Sequence, residues 1–501
     1  MRLQDIKQAE VIVVGAGNAA LCAALAAKDA GANPVVLETA PKAERGGNTF
    51  FVAGSTRWVF NNMDDIREVL DLTDEEMRTV DFGTYSREDF FEDMGRVTQY
   101  RCDPDLTEIL VDNARPTLVW MRTKGVKFEP MYKGQSQKID GRVKFFGGQV
   151  CNFWGGGPEL TASLFRAVEK AGIPVLYETT ATSLIYEHGK VAGVVAESEG
   201  EKSEIRSKSV VLACGGFESN AEMRARYLGP GYELAKVRGT QHNNGAGIRM
   251  ALDIGAMSAG HWSGSHAVGW DRNAPQFGDR VVGDGFQKHS YIFSIMINAN
   301  GERFVDEGAD FRNFTYAKYG HVVQAQPGMF AWQVFDQKVE YLLRDEYRIK
   351  QVTKVVANTL EELAGKLDGV DPKRFLATVA EYNKAVQQDV PFSPVLKDGR
   401  GTPGLKIPKT NWANTIDQPP FQAYAVACGV TFTFGGVKIA PDTNVQNVGG
   451  RNIPGLYAAG EMIGGLFYFN YPSGSGLVAG AVFGRRAGTH AAQYARRAVA
   501  R

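Results

Sequence analysis

The chain has 501 residues, enough for two or three domains and a sizeable core, so a small module held together by disulfides or a metal is excluded. Its 56 Lys and Arg balance 56 Asp and Glu with no long run of one sign, which argues against nucleic acid as a partner, because phosphate-backbone binding needs clustered cations. The five cysteines, Cys22, Cys102, Cys151, Cys214 and Cys428, are scattered without CxxC or CxxCH spacing, so no metal, cluster or covalent haem is expected, and a reducing compartment fits best.

In chain order, the start MRLQDIKQAE is polar and runs directly into a strand, so no secretory leader is expected and the chain reads as soluble and cytoplasmic. Val11–Val14 is an all-apolar run suited to a parallel strand buried on both faces, and GAGNAA follows it without a gap. Gly15 allows the tight turn, Gly17 lets the backbone approach a pyrophosphate, and Ala20 stands where a third small residue lets helix and strand pack. A helix over Asn18–Asp29 and a second strand over Pro34–Leu37 lead to Glu38, twenty-three residues after Gly15, where a carboxylate accepts from an adenosine ribose. Arg45-Gly46-Gly47-Asn48-Thr49 then supplies a glycine-rich loop able to lie along a flavin's ribityl chain, which favours FAD over NAD.

A helical excursion is predicted over roughly 64–127, and a hairpin over Ser183–Glu187 and Val191–Glu197 with His188-Gly189 as its turn. The run 210–216 reads as a strand ending in Ala213-Cys214-Gly215-Gly216, and 455–461 as a strand ending in Gly460-Glu461. Scattered Gly and Pro with mixed strands and helices over Asp336–Tyr347 and Pro372–Asp389 suit a separate cap. The closing stretch 455–484 is apolar but interrupted by Glu461, Asn470 and Pro472, so it forms no membrane span. The last helix, Val478–Arg497, is entered through PSGSGL, with Ser473 or Ser475 as N-cap, and its positive end would face the flavin.

With these motifs in this order, the chain resembles the flavoprotein family of fumarate reductases and succinate dehydrogenases, which includes 3-ketosteroid and tricarballylate dehydrogenases. The resemblance spans nearly the whole chain and rests on the amino-terminal cradle, LVDNARPTLVWMRTKGVKF (110–128), the Ala-Cys-Gly-Gly strand end, NNGAGIRMALDIGA (243–256), INANGERFVDE (297–307) and GLYAAGEMIGG (455–465). It implies an α/β fold, a Rossmann-like FAD-binding domain with an inserted α+β capping domain, fumarate reductase flavoprotein-like. The domains would run 1–238 and 426–501 for FAD and 239–425 for the cap, which in the family closes over the flavin with substrate between the two. The cofactor-binding residues expected are Gly15, Gly17, Asn18, Ala19, Ala20, Glu38, Thr39, Arg45, Gly46, Gly47, Asn48, Thr49, Gly54, Ala181, Ala213, Cys214, Gly215, Gly216, Asn244, Gly247, Gly460, Glu461, Ser475, Gly476 and Leu477. FAD would be non-covalent, since Asn48 stands where succinate dehydrogenases use a histidine hereabouts.

Three substrate-site residues follow from the resemblance. His266 falls at the family's carboxylate-binding histidine. After GERFVDE, strict counting puts Phe311 at the arginine of the fumarate-reducing members, and a one-residue loop difference would put Arg312 there. Phe432 and Tyr471 replace a carboxylate-binding histidine and arginine, so a plain fumarate reductase is disfavoured, and Tyr471 could polarise a carbonyl or move a proton. The wording is closest to tricarballylate dehydrogenase. It implies a dehydrogenase that removes hydride to flavin N5 from a carbon–carbon single bond beside a carboxylate or carbonyl, and passes electrons to a separate acceptor, a quinone-linked protein or a soluble one. A 3-ketosteroid dehydrogenase would account for Tyr471, Phe432 and Phe467-Tyr468-Phe469. The resemblance would also accommodate a fumarate-type reductase of an unsaturated acid or a non-catalytic FAD electron-transfer subunit. Arg57, Lys144 and Arg238 are further candidate cations for an acid substrate.

Overall fold

The computed structural model describes residues 6, 8–139 and 141–497, so most of the polar start, residues 1–5 and 7, lies outside the described residues. The chain forms two compact units. The first takes Met1–Glu233, Gly239–Ser265 and Thr431–Arg501, and the second Leu234–Arg238 and His266–Val430. The expected break at 238 is therefore displaced. Residues 239–265 stay with the first unit because Asn243 bonds Glu218 and the Gly245 amide bonds the Gly216 carbonyl, whereas Lys236–Val237 pairs in parallel with Gly429 and Val430 of the second.

The first unit is built on an eight-stranded sheet. Its strand Gln8–Val14 is fully buried over Val11–Val14, and it runs parallel to Glu201–Leu212 on one side and Pro34–Leu37 on the other, as an apolar run covered on both faces must. Val175–Leu176 extends the sheet beyond Pro34–Leu37, and Asn452–Ala458 lies parallel to Glu201–Leu212, with Asn444–Gln446 antiparallel at the edge. The hairpin is found as Thr180–Glu187 and Lys190–Ser198, its turn residues His188 and Gly189 both left-handed at φ 50° and 76°, the geometry of a two-residue hairpin loop. The excursion is helical, Met63–Val69, Asp74–Thr79, Arg87–Val97 and Pro104–Thr123, each started by a side-chain cap from Asn62, Thr73, Ser86 or Asp103.

The closing helix, Ser475–Arg497, packs along Asn18–Asp29. Gly480, Gly484 and Gly488, spaced by four, share one face. A Cβ at Gly484 would lie 2.3 Å from the Ala19 carbonyl oxygen, and one at Gly488 1.9 Å from that of Ala23. The helix starts three residues before the predicted Val478. Ser475 lies inside its first turn, donating its hydroxyl to the Pro472 carbonyl at 2.6 Å, instead of capping from outside.

In the second unit the sheet order is Lys236–Val237, Phe421–Val437, Phe330–Phe335, Ile295–Ile297, with Lys354–Ala357 also paired to Phe421–Val437. Its core joins Trp332 and Val334 to Leu363 of the helix Leu360–Lys366 and to Phe375, Val379 and Tyr382 of Pro372–Ala385. That last helix stops at Ala385, short of the expected Asp389. The expected helix Asp336–Tyr347 is instead two 3-10 turns, Gln337–Leu342 and Asp345–Tyr347. The Asp336 carboxylate explains the start: it accepts from the amides of Lys338, Asp417 and Gln418, which fixes the segment to a neighbouring loop where a longer helix would carry it away. Among the described residues no helix is long and apolar enough to cross a membrane.

Candidate active site

The strand Gln8–Val14 passes into helix Asn18–Asp29 through Gly15, left-handed at φ 103°, where a Cβ would sit 2.5 Å from the Ala213 carbonyl oxygen. Gly17 caps the helix with no side-chain bond, and no acid lies in its first turn, so the positive helix end carries no anion of its own. Packing does not demand the glycine at 17: a Cβ there would meet only Thr49 Oγ1 at 3.5 Å and the Gly46 oxygen at 3.8 Å, ordinary contacts. The space suits a pyrophosphate drawn close to the backbone.

Around it the structure gathers much of the expected set. The Asn18 amide donates to Thr49 Oγ1 at 3.0 Å and its Nδ2 to the Leu477 carbonyl at 2.8 Å, while Gly460 approaches Ala19. Glu38 is buried at the end of its strand, and Oε1 accepts from the Ala40 amide at 2.7 Å; burial pushes its carboxyl above the ordinary range against the pull of that amide. Thr39 pairs its hydroxyl with Thr180 at 2.5 Å beside buried Ala181. These residues fit a dinucleotide such as FAD.

Five expected members, Asn48 among them, have other employment. Arg45 lies over the Phe165 ring and donates to Tyr177 Oη at 2.8 Å, fastening its loop to the helix Gly156–Lys170. Gly54 packs on Gly156, where a Cβ would lie 3.0 Å from the Gly156 Cα. Asn244 is exposed and accepts from the Ala246 amide at the start of helix Ala246–Asp253, whereas its neighbour Asn243 is the buried one. Gly247 gives room to Cys214, whose Sγ would lie 2.2 Å from a Cβ there.

Asn48 leads to a buried network that sequence reasoning missed. Its Nδ2 donates to Glu218 Oε1 and to the Thr431 carbonyl, both at 2.7 Å, and its Oδ1 accepts from the Thr240 amide at 2.9 Å. Asn243 Nδ2 also donates to Glu218 Oε1, at 2.6 Å. Glu461 Oε1 accepts from the Thr433 amide at 2.7 Å and lies against Gly216; Glu218 is fully buried and Glu461 half-buried. Burial and the neighbouring Glu461 charge push Glu218 well above the ordinary carboxyl range, and burial raises Glu461 as well. A carboxyl raised in the folded state stabilises fully below its unfolded pKa and loses that contribution as pH rises toward the folded value. Glu218→Gln should therefore match the wild-type thermal midpoint near pH 5 and exceed it increasingly toward pH 8, by about 1.4 kcal/mol per pH unit at most. A difference that stays constant across that range would contradict a raised Glu218 carboxyl.

Tyr471 is largely buried in an aromatic box of the first unit. Phe432 and Phe467 each meet its ring edge-on with centroids 5.4 Å away, Phe434 packs on both, and Gly476 leaves the Tyr471 Cε2 3.4 Å from where its Cβ would stand. Arg57 holds the loop that follows: Nε donates to the Ser473 carbonyl at 2.8 Å, and Nη1 to Tyr85 Oη and Asp93 Oδ2. It is thus a structural cation rather than a substrate ligand. Lys144 lies half-buried in the short strand Arg142–Phe145.

The second unit gathers His266, His289 and Arg312 around Tyr316, with the charges of Arg238 and Arg344 close enough to act on them. His266 and His289 present their rings edge-on to Tyr316 at 5.0 and 4.8 Å, and the Arg312 guanidinium carbon lies 5.2 Å from the same ring. Burial pushes both imidazoles well below their ordinary value, aided by Arg238 at His266 and by Arg312 at His289, so both are neutral at pH 7. Arg238 is neutralised by Asp284 at 2.6 Å and Arg344 by Glu346 at 3.0 Å. Arg312 differs. It is half-buried, its Nη2 is enclosed without a hydrogen-bond partner, and among the described residues it forms no ion pair. Burial, with the Arg344 charge, lowers its pKa to about 10. The carboxylates near it in sequence are taken, Glu307 by Arg303 and Asp310 by Lys397. Phe311 packs on Trp412 at 5.7 Å, so of the two adjacent candidates it is Arg312 that joins the cluster.

A family model described as FAD binding domain matches residues 10–478. The chain is 30% identical over 97% of its length to "Probable fumarate reductase Ifc3" of Shewanella frigidimarina (strain NCIMB 400), covering 75% of that protein. It is 26% identical over 99% of its length to a "3-oxosteroid 1-dehydrogenase" of Mycobacterium tuberculosis (strain CDC 1551 / Oshkosh), covering all of it. A solved flavocytochrome c3 fumarate reductase in its open conformation superposes with a TM-score of 0.72 at 27% identity, covering 98% of this chain and 79% of that one.

Proposed function

The chain belongs to the FAD binding domain family and is an FAD-dependent oxidoreductase acting on carbon–carbon bonds, and from this premise we propose that its substrate is an acid whose carboxylate pairs with Arg312. The reaction is oxidation of the carbon–carbon single bond beside that carboxylate, as in tricarballylate dehydrogenases, with FAD held non-covalently in a cytoplasmic enzyme that passes electrons to a separate acceptor. One observation carries the reading: a half-buried guanidinium with an enclosed, unpartnered Nη2 and no ion pair among the described residues. An unpaired buried charge is costly and is kept where a ligand neutralises it.

FAD, when bound at the Gly15–Ala20 cradle, supplies the two-electron acceptor. The remaining work falls to the chain. Arg312 binds the carboxylate and withdraws charge from it, which acidifies the adjacent C–H; neutral His266 helps fix its orientation. Tyr471 holds or moves the proton. Tyr471→Phe should keep the yellow flavin bound and lower turnover by about a hundredfold or more; unchanged turnover removes Tyr471 from the reaction.

Anaerobic mixing of the yellow protein with tricarballylate, succinate and a 3-ketosteroid tests the reading. Bleaching of the flavin by an acid supports it, and bleaching by the steroid alone overturns it. A steroid-type ketone is the second reading, favoured by the box of Phe432, Phe434, Phe467 and Tyr471, where apolar rings stand in place of charged donors. Release of the flavin by acid precipitation would support non-covalent attachment, and yellow colour remaining in the pellet would overturn it.

A further inference from the structure

We propose that His289 is a second donor to the substrate carboxylate, its Nε2–H and Arg312 Nη2 together taking the two oxygens of one carboxylate group. The inference rests on the acid-substrate reading above and adds to it a residue that no motif marks.

Nε2 of His289 is buried and finds no hydrogen-bond partner, the same condition as Arg312 Nη2, and both groups are grouped on the ring of Tyr316. Two enclosed polar atoms without partners in one cluster are a double cost for a protein that binds nothing there, because a buried donor left unmade loses its hydration without recompense. A carboxylate satisfies both at once: one oxygen accepts from the guanidinium and the other from the imidazole.

The backbone on either side of His289 is fixed in advance. Lys288 Nζ donates to the Phe286 and Gln287 carbonyls at 3.1 Å and to the Glu346 carbonyl at 3.2 Å, while its own carbonyl accepts from Gln333 Nε2 at 3.0 Å. The Ser290 amide donates to Tyr347 Oη at 2.8 Å, and that hydroxyl donates in turn to Gln333 Oε1 at 2.6 Å. The imidazole thus hangs from a short segment tied at both neighbours, which lowers the ordering cost of binding. The other cations of the cluster, buried Arg238 and half-buried Arg344, already hold Asp284 and Glu346, so the arrangement offers net charge for a single carboxylate.

The test compares flavin-loaded wild type with His289→Gln, His289→Asn and Arg312→Met, using calorimetric titration with tricarballylate and with succinate as probes. Gln can place an amide N–H near the position of Nε2 and Asn cannot. Affinity within about threefold of wild type for Gln and weaker by about tenfold or more for Asn, with flavin content and thermal midpoint unchanged in both, is the expected result. Wild-type affinity in both His289 variants, with loss in Arg312→Met, overturns the role of His289 and leaves the acid reading standing. Binding undiminished in Arg312→Met, or absent for both acids in the wild type, overturns the acid reading and this inference with it.

Discussion

Arg312→Met is expected to abolish acid-dependent turnover, by at least about a hundredfold in kcat/KM, while the folded protein becomes more stable. The two signs share one cause. The guanidinium has no ion pair among the described residues, its Nη2 is enclosed without an acceptor, and burial with the nearby Arg344 charge already lowers its pKa to about 10. Removing a desolvated, unpaired cation and keeping apolar volume should gain on the order of 2 kcal/mol after allowance for its remaining exposure, or about 1–3 °C in thermal midpoint. Removing the one cation of the cluster that forms no ion pair among the described residues takes the charge-assisted bonds to the carboxylate with it. Such an opposition of stability and function is characteristic of a binding residue and foreign to a structural one. Parallel assays of turnover and thermal unfolding check it; a variant that loses both together would show that Arg312 supports the fold.

Gly488→Ala tests the helix pair under the nucleotide cradle. Intrinsic propensity alone predicts that Ala in place of Gly in a helix interior stabilises by about 1 kcal/mol. The packing reverses the sign. A Cβ at 488 would lie 1.9 Å from the Ala23 carbonyl oxygen and 2.9 Å from the Ala23 Cα, both backbone atoms of a helix that cannot yield without moving. Helix Ser475–Arg497 must then separate from Asn18–Asp29, at a cost of about 3 kcal/mol or more. The thermal midpoint should fall by several degrees, and the protein should retain less flavin, since Asn18 holds Leu477 across the same pair. A raised midpoint with full flavin content would contradict this packing.

The parts legible in the sequence were those fixed by residues close together in it. The strand Val11–Val14, the glycine turn, the helix Asn18–Asp29, the strand Pro34–Leu37 and Glu38 form one local unit, and the structure has each of them. The hairpin at His188-Gly189 was equally local. Distant partners decided the rest. Nothing near Phe311 and Arg312 tells which one enters the cluster, because the deciding contact is Trp412, a hundred positions away in the chain. Asn48 belonged to a motif expected to line the cofactor, yet its amide is tied to Glu218, Thr431 and Thr240. Asp336 carries a helix-capping residue type, and only its bonds to Asp417 and Gln418 show why the segment is two 3-10 turns. His289 has no motif at all. The spacing Gly480, Gly484, Gly488 was the one signal available for the missed helix contact, since glycines four apart mark a face where another helix comes close.

The central claim, that Arg312 awaits a substrate carboxylate, is tested most directly by the acid-dependent rise in thermal midpoint of oxidised, flavin-loaded protein, measured for wild type and Arg312→Met with saturating tricarballylate and with succinate. An acid bound at a hundred times its Kd stabilises by about 2.7 kcal/mol. The account predicts a rise in the wild type with at least one of the acids and none in the variant. An equal rise in both proteins, or no rise in the wild type with either acid, would contradict it.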